Sequence, residues 1–347
     1  MHTIKTSALA DFIRHVVLDM NEPAMIWGPP GCGKSAVMAQ VAESISGVLC
    51  DNRLAQYDSV DLRGYPGSEV GHYVEGGAMV WSPPVTFPFV GNKAFPTDRP
   101  IILFLDELNS AKPDVLAVAY QLINDRRVGE HVLMENVRIV AAGNREGDRG
   151  VTNKMPLPLA NRMTHVEVAM DHESWINHYL DTGGDPVIAA FFMYRPSLIC
   201  TFDPSKQAKA FGTFRSWSKA AKYFVSDLPK AVKYAAIAGA VGDGEAAEFL
   251  GYMDIVAKMP DMDDIVTRPT KAALPDGVGM MYAVSGGLSA RLKMSAPEVV
   301  TAVDTYLKRL PPEFYAYAWM SAARRDDRLL TTSEGAAFAE NFQRLIG

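Results

Sequence analysis

The sequence predicts an α/β core built on a parallel sheet, followed by an all-helical region. Three observations carry this. Short apolar runs alternate with helical periodicities up to about residue 170. A glycine-rich loop joins the first such run to a helix. Beyond Met170 the strand signals fade and only helical patterns remain.

Taken in order, Leu9, Phe12, Ile13, Val16, Val17 and Met20 recur at helical spacing behind Ser7, a good N-cap. This gives an amphipathic helix over about 7–20. Asp11, Arg14 and His15 interrupt any leader-like apolar stretch. Ala24–Trp27 is a short strand. A helix follows from Lys34 to about Ser46, with Val37, Met38, Val41 and Ile45 on one face and Gly47 as its stop. A second strand is expected near 48–56. Residues 63–98 are rich in Gly, Pro and aromatics and lack helical periodicity. So long an excursion reads as an insertion with hairpin content. Ile101–Leu105 is a strand buried on both faces. A helix over 112–124, a hairpin over 126–137, and strands over 138–142 and 164–168 complete the α/β part. Helices are expected over 172–181, 185–194, 215–225, 229–240, 244–258, 277–293, 297–310, 312–325 and 333–345. A Pro- and Asp-rich linker is expected at 259–275.

The 347 residues suffice for two packed units. Hydrophobic residues make up 48% and charged ones 21%, which excludes a largely disordered chain. No run reaches the roughly 18 apolar residues of a membrane span. Cys32, Cys50 and Cys200 cannot make a disulfide framework, which points to a reducing, cytoplasmic setting. The seven histidines give no metal framework, and Asp261, Asp263 and Asp264 read as helix caps.

Gly28-Pro29-Pro30-Gly31-Cys32-Gly33-Lys34-Ser35 fits G-x-x-x-x-G-K-[ST]. Glycines let the backbone N–H groups turn inward toward a phosphate, and the following helix adds its positive end. Lys34 reaches the β/γ-phosphates and the Ser35 hydroxyl holds Mg2+. Farther on, the strand at 101–105 ends in Asp106 and Glu107. Ligands bind at strand ends in open parallel sheets. Asp106 is placed for Mg2+ and Glu107 for polarising the attacking water. Asn144 ends the next buried strand. It either contacts the γ-phosphate or the water, or merely turns the chain with Gly143. The aromatic run Tyr65, Tyr73, Trp81, Phe87 and Phe89 either grips a threaded protein or packs the insertion.

Phosphate loop, acidic strand end, Asn-ended strand and later helices, in that order, resemble the AAA+ ATPases. Leu105-Asp106-Glu107-Leu108-Asn109-Ser110-Ala111 looks like the MoxR-like branch. So do Asp61-Leu62-Arg63-Gly64 and Met155-Pro156-Leu157-Pro158-Leu159-Ala160-Asn161-Arg162. The resemblance covers about 22–225. It implies an AAA+ core over 1–170 with an insertion at about 63–98, a helical lid over 171–258 and a C-terminal helical extension over 259–347. It also implies Asn144 as the sensor-1 residue, Arg162 as the arginine finger for a neighbouring subunit and Arg215 as the sensor-2 arginine of the lid. Position 161, commonly Asp in the family, is Asn161 here. Arg126, Arg127, Arg145 and Arg149 are rivals for the contact in trans.

The implied activity is ATP hydrolysis with Mg2+ in a homo-oligomeric ring, a hexamer by this resemblance. The ring would remodel or activate a partner protein, and the family often works with proteins bearing a von Willebrand factor A domain. The alternative is a nucleic-acid motor or loader on the same core. A net charge of −6 and the lack of a Lys/Arg-dense run stand against nucleic acid. A nucleotide-gated scaffold without catalysis is weakened by the presence of both Asp106 and Glu107.

Overall fold

A computed structural model describes residues 2–66, 81–145, 153, 155–203, 205–206 and 208–346. The chain forms two compact units, Met1–Asp171 and His172–Gly347.

The first unit runs β1 (Thr3–Lys5), α1 (Thr6–Phe12), β2 (Ala24–Trp27), α2 (Lys34–Ser44), β3 (Val48–Arg53), α3 (Ser59–Arg63), β4 (Tyr65–Pro66) and β5 (Trp81–Ser82). It continues with β6 (Ile101–Asp106), α4 (Pro113–Asp125), β7 (Arg127–Val128), β8 (His131–Val132), β9 (Val137–Gly143), α5 (Leu157–Ala160) and β10 (Thr164–Ala169). Six strands form one parallel sheet in the order β1-β10-β2-β9-β6-β3. Successive side chains of a strand point to opposite faces. Ile102 and Phe104 therefore join Leu9, Ile13, Val37 and Val41 on one side. Ile101, Leu103 and Leu105 join Val115, Ala119 and Leu122 of α4 on the other. Both faces are covered, so the strands read as unbroken apolar runs.

Several expectations are corrected. The three-residue strand β1 was not anticipated. The first helix has Lys5 as N-cap and widens into a π-helical segment at Ile13–Asp19. Ser7 is no cap; its hydroxyl donates to Asp171 Oδ2 at 2.9 Å. After α2 it is Ser46, not Gly47, that takes the left-handed conformation, at φ 53°. The strand expected to 56 ends at Arg53, because residues Leu54–Gln56 turn in a 3-10 helix.

Strands β4 and β5 pair antiparallel within the insertion. Of the aromatic run, Phe87 and Phe89 are buried in the core of the first unit. Tyr65 is exposed and Trp81 half-buried, while Tyr73 lies outside the described residues. The hairpin forms as β7 and β8 around Gly129-Glu130, and the Trp81 N–H donates to Glu130 Oε1 at 3.2 Å.

The second unit is helical: α6 (His172–Asp181), α7 (Pro186–Tyr194), α8 (Phe214–Val225), α9 (Lys230–Val241), α10 (Asp243–Val256), α11 (Met262–Thr267), α12 (Val278–Ser289), α13 (Pro297–Leu307), α14 (Pro312–Arg325) and α15 (Ser333–Ile346). The expected linker contains α11, which Asp261 caps by accepting the Asp263 N–H at 2.8 Å. One aromatic core gathers Phe191, Phe192, Trp217 and Phe249; another gathers Tyr306, Phe314, Trp319 and Phe338. Among the described residues no helix is long and apolar enough to cross a membrane. The cysteines form no disulfide.

Candidate active site

The buried strand β2 delivers the chain into the loop Gly28–Gly33. Its turn needs φ +74° at Gly31 and +93° at Gly33, a region that side-chain-bearing residues avoid. The Gly28 N–H donates to the Gly143 carbonyl at 3.3 Å, so the loop begins against the end of β9. Helix α2 starts at Lys34 with no acidic residue in its first turn. Its unpaired N–H groups and positive end thus face an anion site with no competing carboxylate of their own.

Lys34 is buried, and its ammonium donates to the Gly28 carbonyl at 2.8 Å and the Pro29 carbonyl at 3.1 Å. Two neutral acceptors hold the charge inside its own loop. Phosphate oxygens offer the same ammonium stronger, charge-assisted bonds. Cys32, also buried, packs its sulfur 3.8 Å from Lys34 Nζ.

Ser35 follows, and its hydroxyl donates to Asp106 Oδ2 at 3.4 Å. The end of β6 therefore lies beside the start of α2. Glu107 adopts φ 55°, ψ 33°, left-handed for a residue that ordinarily avoids it, and its N–H donates to Asp106 Oδ1 at 2.9 Å. Such strain collects at functional sites. The Glu107 side chain is half-buried, and no side chain among the described residues is paired with its carboxylate. Asp51 on β3 adds a carboxylate that the sequence reading missed. Its pKa is raised, first by burial and then by the charge of Asp106.

Asn144 is half-buried just beyond β9. Its carbonyl accepts from Asn109 Nδ2 at 2.8 Å. Asn109 is 1% exposed, and its own Oδ1 is buried with no partner among the described residues. Room for that oxygen exists only because residue 143 is glycine: a Cβ there would lie 2.3 Å from it. The Asn109 carbonyl in turn accepts the Asn153 N–H at 2.6 Å. Asn109 thus ties the acidic turn to the end of β9 and to the segment leading into α5. Nothing but its place in the run Leu105–Ala111 could have pointed to it.

Arg162 follows α5, between the buried Leu159 and Met163. It is exposed, and its side chain has no partner among the described residues. Three of its rivals are engaged. Arg126 donates to the Met134 and Val137 carbonyls at 3.1 and 2.9 Å, and its pKa is lowered by burial. Arg127 donates to the Gly129 carbonyl, and Arg145 pairs with Glu167 at 2.9 Å. Arg149 lies outside the described residues. The structure thus gathers Gly28 to Ser35, Asp106, Glu107 and Asn144 on one end of one sheet. Arg215 belongs to the second unit, exposed in the first turn of α8 behind a Thr213–Ser216 capping box.

Residues 23–163 match the AAA domain, dynein-related subfamily. Those residues hold most of the sheet, the phosphate loop and the acidic strand end of the first unit, an AAA+ P-loop core. No curated protein matches its sequence. Among solved structures, Hsp104 in a closed state with ATPγS and FITC-casein is similar at 16% identity and a TM-score of 0.35. That match covers 73% of this chain but only 44% of the Hsp104 chain. NtrX from Brucella abortus in complex with ADP is similar at 15% identity and a TM-score of 0.39, over 99% of this chain and 70% of that one.

Proposed function

We propose that this chain is a MoxR-like AAA+ ATPase that works in the cytoplasm as a ring, a hexamer in the simplest form, and uses ATP to remodel or activate a partner protein. A protein with a von Willebrand factor A domain is the partner class proposed. Residues 171–258 act as the helical lid and 259–347 as an added helical extension.

The reading assigns each group a step. The loop N–H groups and Lys34 bind the β- and γ-phosphates. Ser35 and Asp106 would hold Mg2+ through hard oxygen donors, with the nucleotide's phosphates beside them. Among the described residues no cluster of three or more His, Cys, Asp or Glu could hold a metal without such help. Mg2+ held there would supply neutralisation of the charge on the phosphate oxygens. The Glu107 carboxylate accepts a proton from water, and the water oxygen bonds to the γ-phosphorus. The bond to the β–γ bridging oxygen breaks, and ADP and phosphate leave. Asn144 orients the water or the γ-phosphate. Arg162 of a neighbouring subunit and Arg215 of the lid stabilise the charge spread over the transferring group.

The observation that supports the ring is Arg162, an exposed cation with no partner among the described residues, on the same unit as the loop and both carboxylates. A mixing experiment tests it. Arg162→Ala should bind ATP but hydrolyse it poorly. Lys34→Ala should bind none yet keep its finger. Mixed rings should regain part of the activity where an Arg162→Ala site meets a Lys34→Ala neighbour. Mixed rings as inactive as either parent would overturn the trans role.

A further inference from the structure

Sheet strand β10 lies between β1 and β2, and His165 on β10 stands in register with Met25 on β2. Its half-buried imidazole bridges two groups. The Trp27 indole N–H donates to His165 Nδ1 at 2.9 Å, and His165 Nε2 lies 2.7 Å from the Ala160 carbonyl. The Trp27 and His165 rings lie nearly parallel, 13° apart in plane with centroids 6.0 Å apart. An indole N–H can only donate, so Nδ1 must be a bare acceptor. The proton therefore sits on Nε2 and is donated to the carbonyl, which can only accept. Both partners select the same neutral tautomer.

The two ends of this bridge matter more than its energy. Trp27 is the last residue of β2, immediately before Gly28 and the phosphate loop. Ala160 is the last residue of α5, two positions before Arg162. The helix α5 is only four residues long and cannot hold its own direction. Leu159 and Met163 anchor it by packing and the Met163 N–H donates to the Ala160 carbonyl at 3.3 Å, but such local contacts tolerate small rotations. Arg162 is tied toward β2 on both sides: the Thr164 N–H donates to the Pro23 carbonyl at 2.8 Å, and on the helix side the Ala160 carbonyl reaches Trp27 through His165.

We propose that His165 is a positioning residue for Arg162: its neutral imidazole clamps the end of α5 to the strand that enters the phosphate loop, and so sets the direction in which the arginine is presented. The inference rests on the arginine reading above. It adds that each subunit's finger is held in register with that subunit's own phosphate loop.

Steady-state turnover and the affinity for a fluorescent ATP analogue test it in the full-length protein. His165→Ala should lower kcat between about 10- and 100-fold, the scale of a roughly 1 Å misplacement. Nucleotide affinity should stay within about twofold, because no loop contact is lost. Trp27→Phe keeps the ring but deletes the N–H, and should lower kcat in the same direction should His165→Ala fold poorly. His165→Gln, which can accept from Trp27 and donate to Ala160, should restore most of the activity. Placed in the Arg162→Ala background, His165→Ala should add almost no further loss, since a positioning residue has nothing left to position. Wild-type turnover in both His165→Ala and Trp27→Phe would overturn the proposal, as would a loss that appears as weakened ATP binding or that adds in full to that of Arg162→Ala. Normal turnover in Arg162→Ala would remove the finger reading and this proposal together. A defect in Arg162→Ala with none in the His165 and Trp27 variants would remove this proposal alone.

Discussion

Asn109 in the first unit and Asp304 in the second are both buried polar side chains, 1% and 3% exposed, yet their surroundings differ. Asp304 on α13 is fully engaged. The Tyr315 hydroxyl and the Trp319 indole N–H donate to its Oδ1 at 3.1 and 3.0 Å, and Lys308 meets Oδ2 at 2.6 Å. Burial, and next the Asp304 charge, hold the Tyr315 hydroxyl protonated far above its ordinary range. Asn109 has one oxygen with no partner among the described residues, two residues after Glu107 at φ 55°. An unpaired buried acceptor and a left-handed non-glycine each cost on the order of 1–3 kcal/mol. Asp304 is resolved into bonds on both oxygens, although the Tyr252 and Ser285 hydroxyls of the same unit are buried with no partner among the described residues. The first unit retains strain and an open acceptor at the strand ends where the loop and both carboxylates meet. That contrast is what a scaffold and a site lead one to expect.

The largest predicted effect tests the strained side. Glu107→Gln should lower turnover by roughly 10²–10⁴-fold while ATP remains bound, because the amide cannot accept the water's proton. Phosphate release at the wild-type rate would show that another group is the base. Glu107→Gly should be equally inactive but, relieved of the left-handed backbone cost, more stable than Glu107→Gln by roughly 0.5–1 kcal/mol. Equal melting of the two variants would mean that the backbone there stores no strain.

Next in size is the paired side. Asp304→Ala leaves an indole N–H and a hydroxyl without an acceptor in the core. It should destabilise the second unit by about 2–4 kcal/mol in denaturant unfolding. Asp304→Asn keeps an acceptor at Oδ1 and should cost less. A neutral result for Asp304→Ala would mean that water reaches these groups, and the contrast between Asp304 and Asn109 would fail.

The two regions also differed in how far the sequence disclosed them. Residues 28–35 and the run ending in Asp106 are local patterns whose chemistry depends on spacing along the chain, so they could be read directly. Both faces of the sheet followed from apolar runs such as Ile101–Leu105. Asn109 could not be read this way. Its importance comes from meeting Asn144, 35 positions away, and from the space beside Gly143. His165 was equally silent, since a single histidine in a strand gains meaning only from the indole and carbonyl on either side. Strand β1 has one apolar residue and forms only because β10 offers a partner edge. The π-helical turn at Ile13–Asp19 keeps its apolar residues near helical spacing, so periodicity alone could not separate it from an α-helix.

The smallest effect asks whether open polar groups reach into the middle of the first unit's sheet. Cys50 lies within β3, buried; its thiol donates to the Thr86 carbonyl at 3.2 Å and accepts from Asn52 Nδ2 at 3.1 Å. Burial pushes the thiol from its ordinary value near 9 up to about 11, with Asn52 acting in the opposite direction. The sign follows from linkage. Below about pH 9 the thiol is neutral in both folded and unfolded chains, and its contribution to stability is complete. Between about 9 and 11 the unfolded chain ionises first, so stability is lost as pH rises. Unfolding free energies of the wild type and Cys50→Ala, compared at pH 8 and pH 10.5, should therefore converge by about 1–2 kcal/mol at the higher pH. Taking the difference cancels the other groups that titrate there. A gap that stays constant would mean that Cys50 is hydrated in the folded state. Open polar groups would then extend from the strand end beside Asn109 into the middle of the sheet, and the contrast drawn with Asp304 would not be peculiar to Asn109.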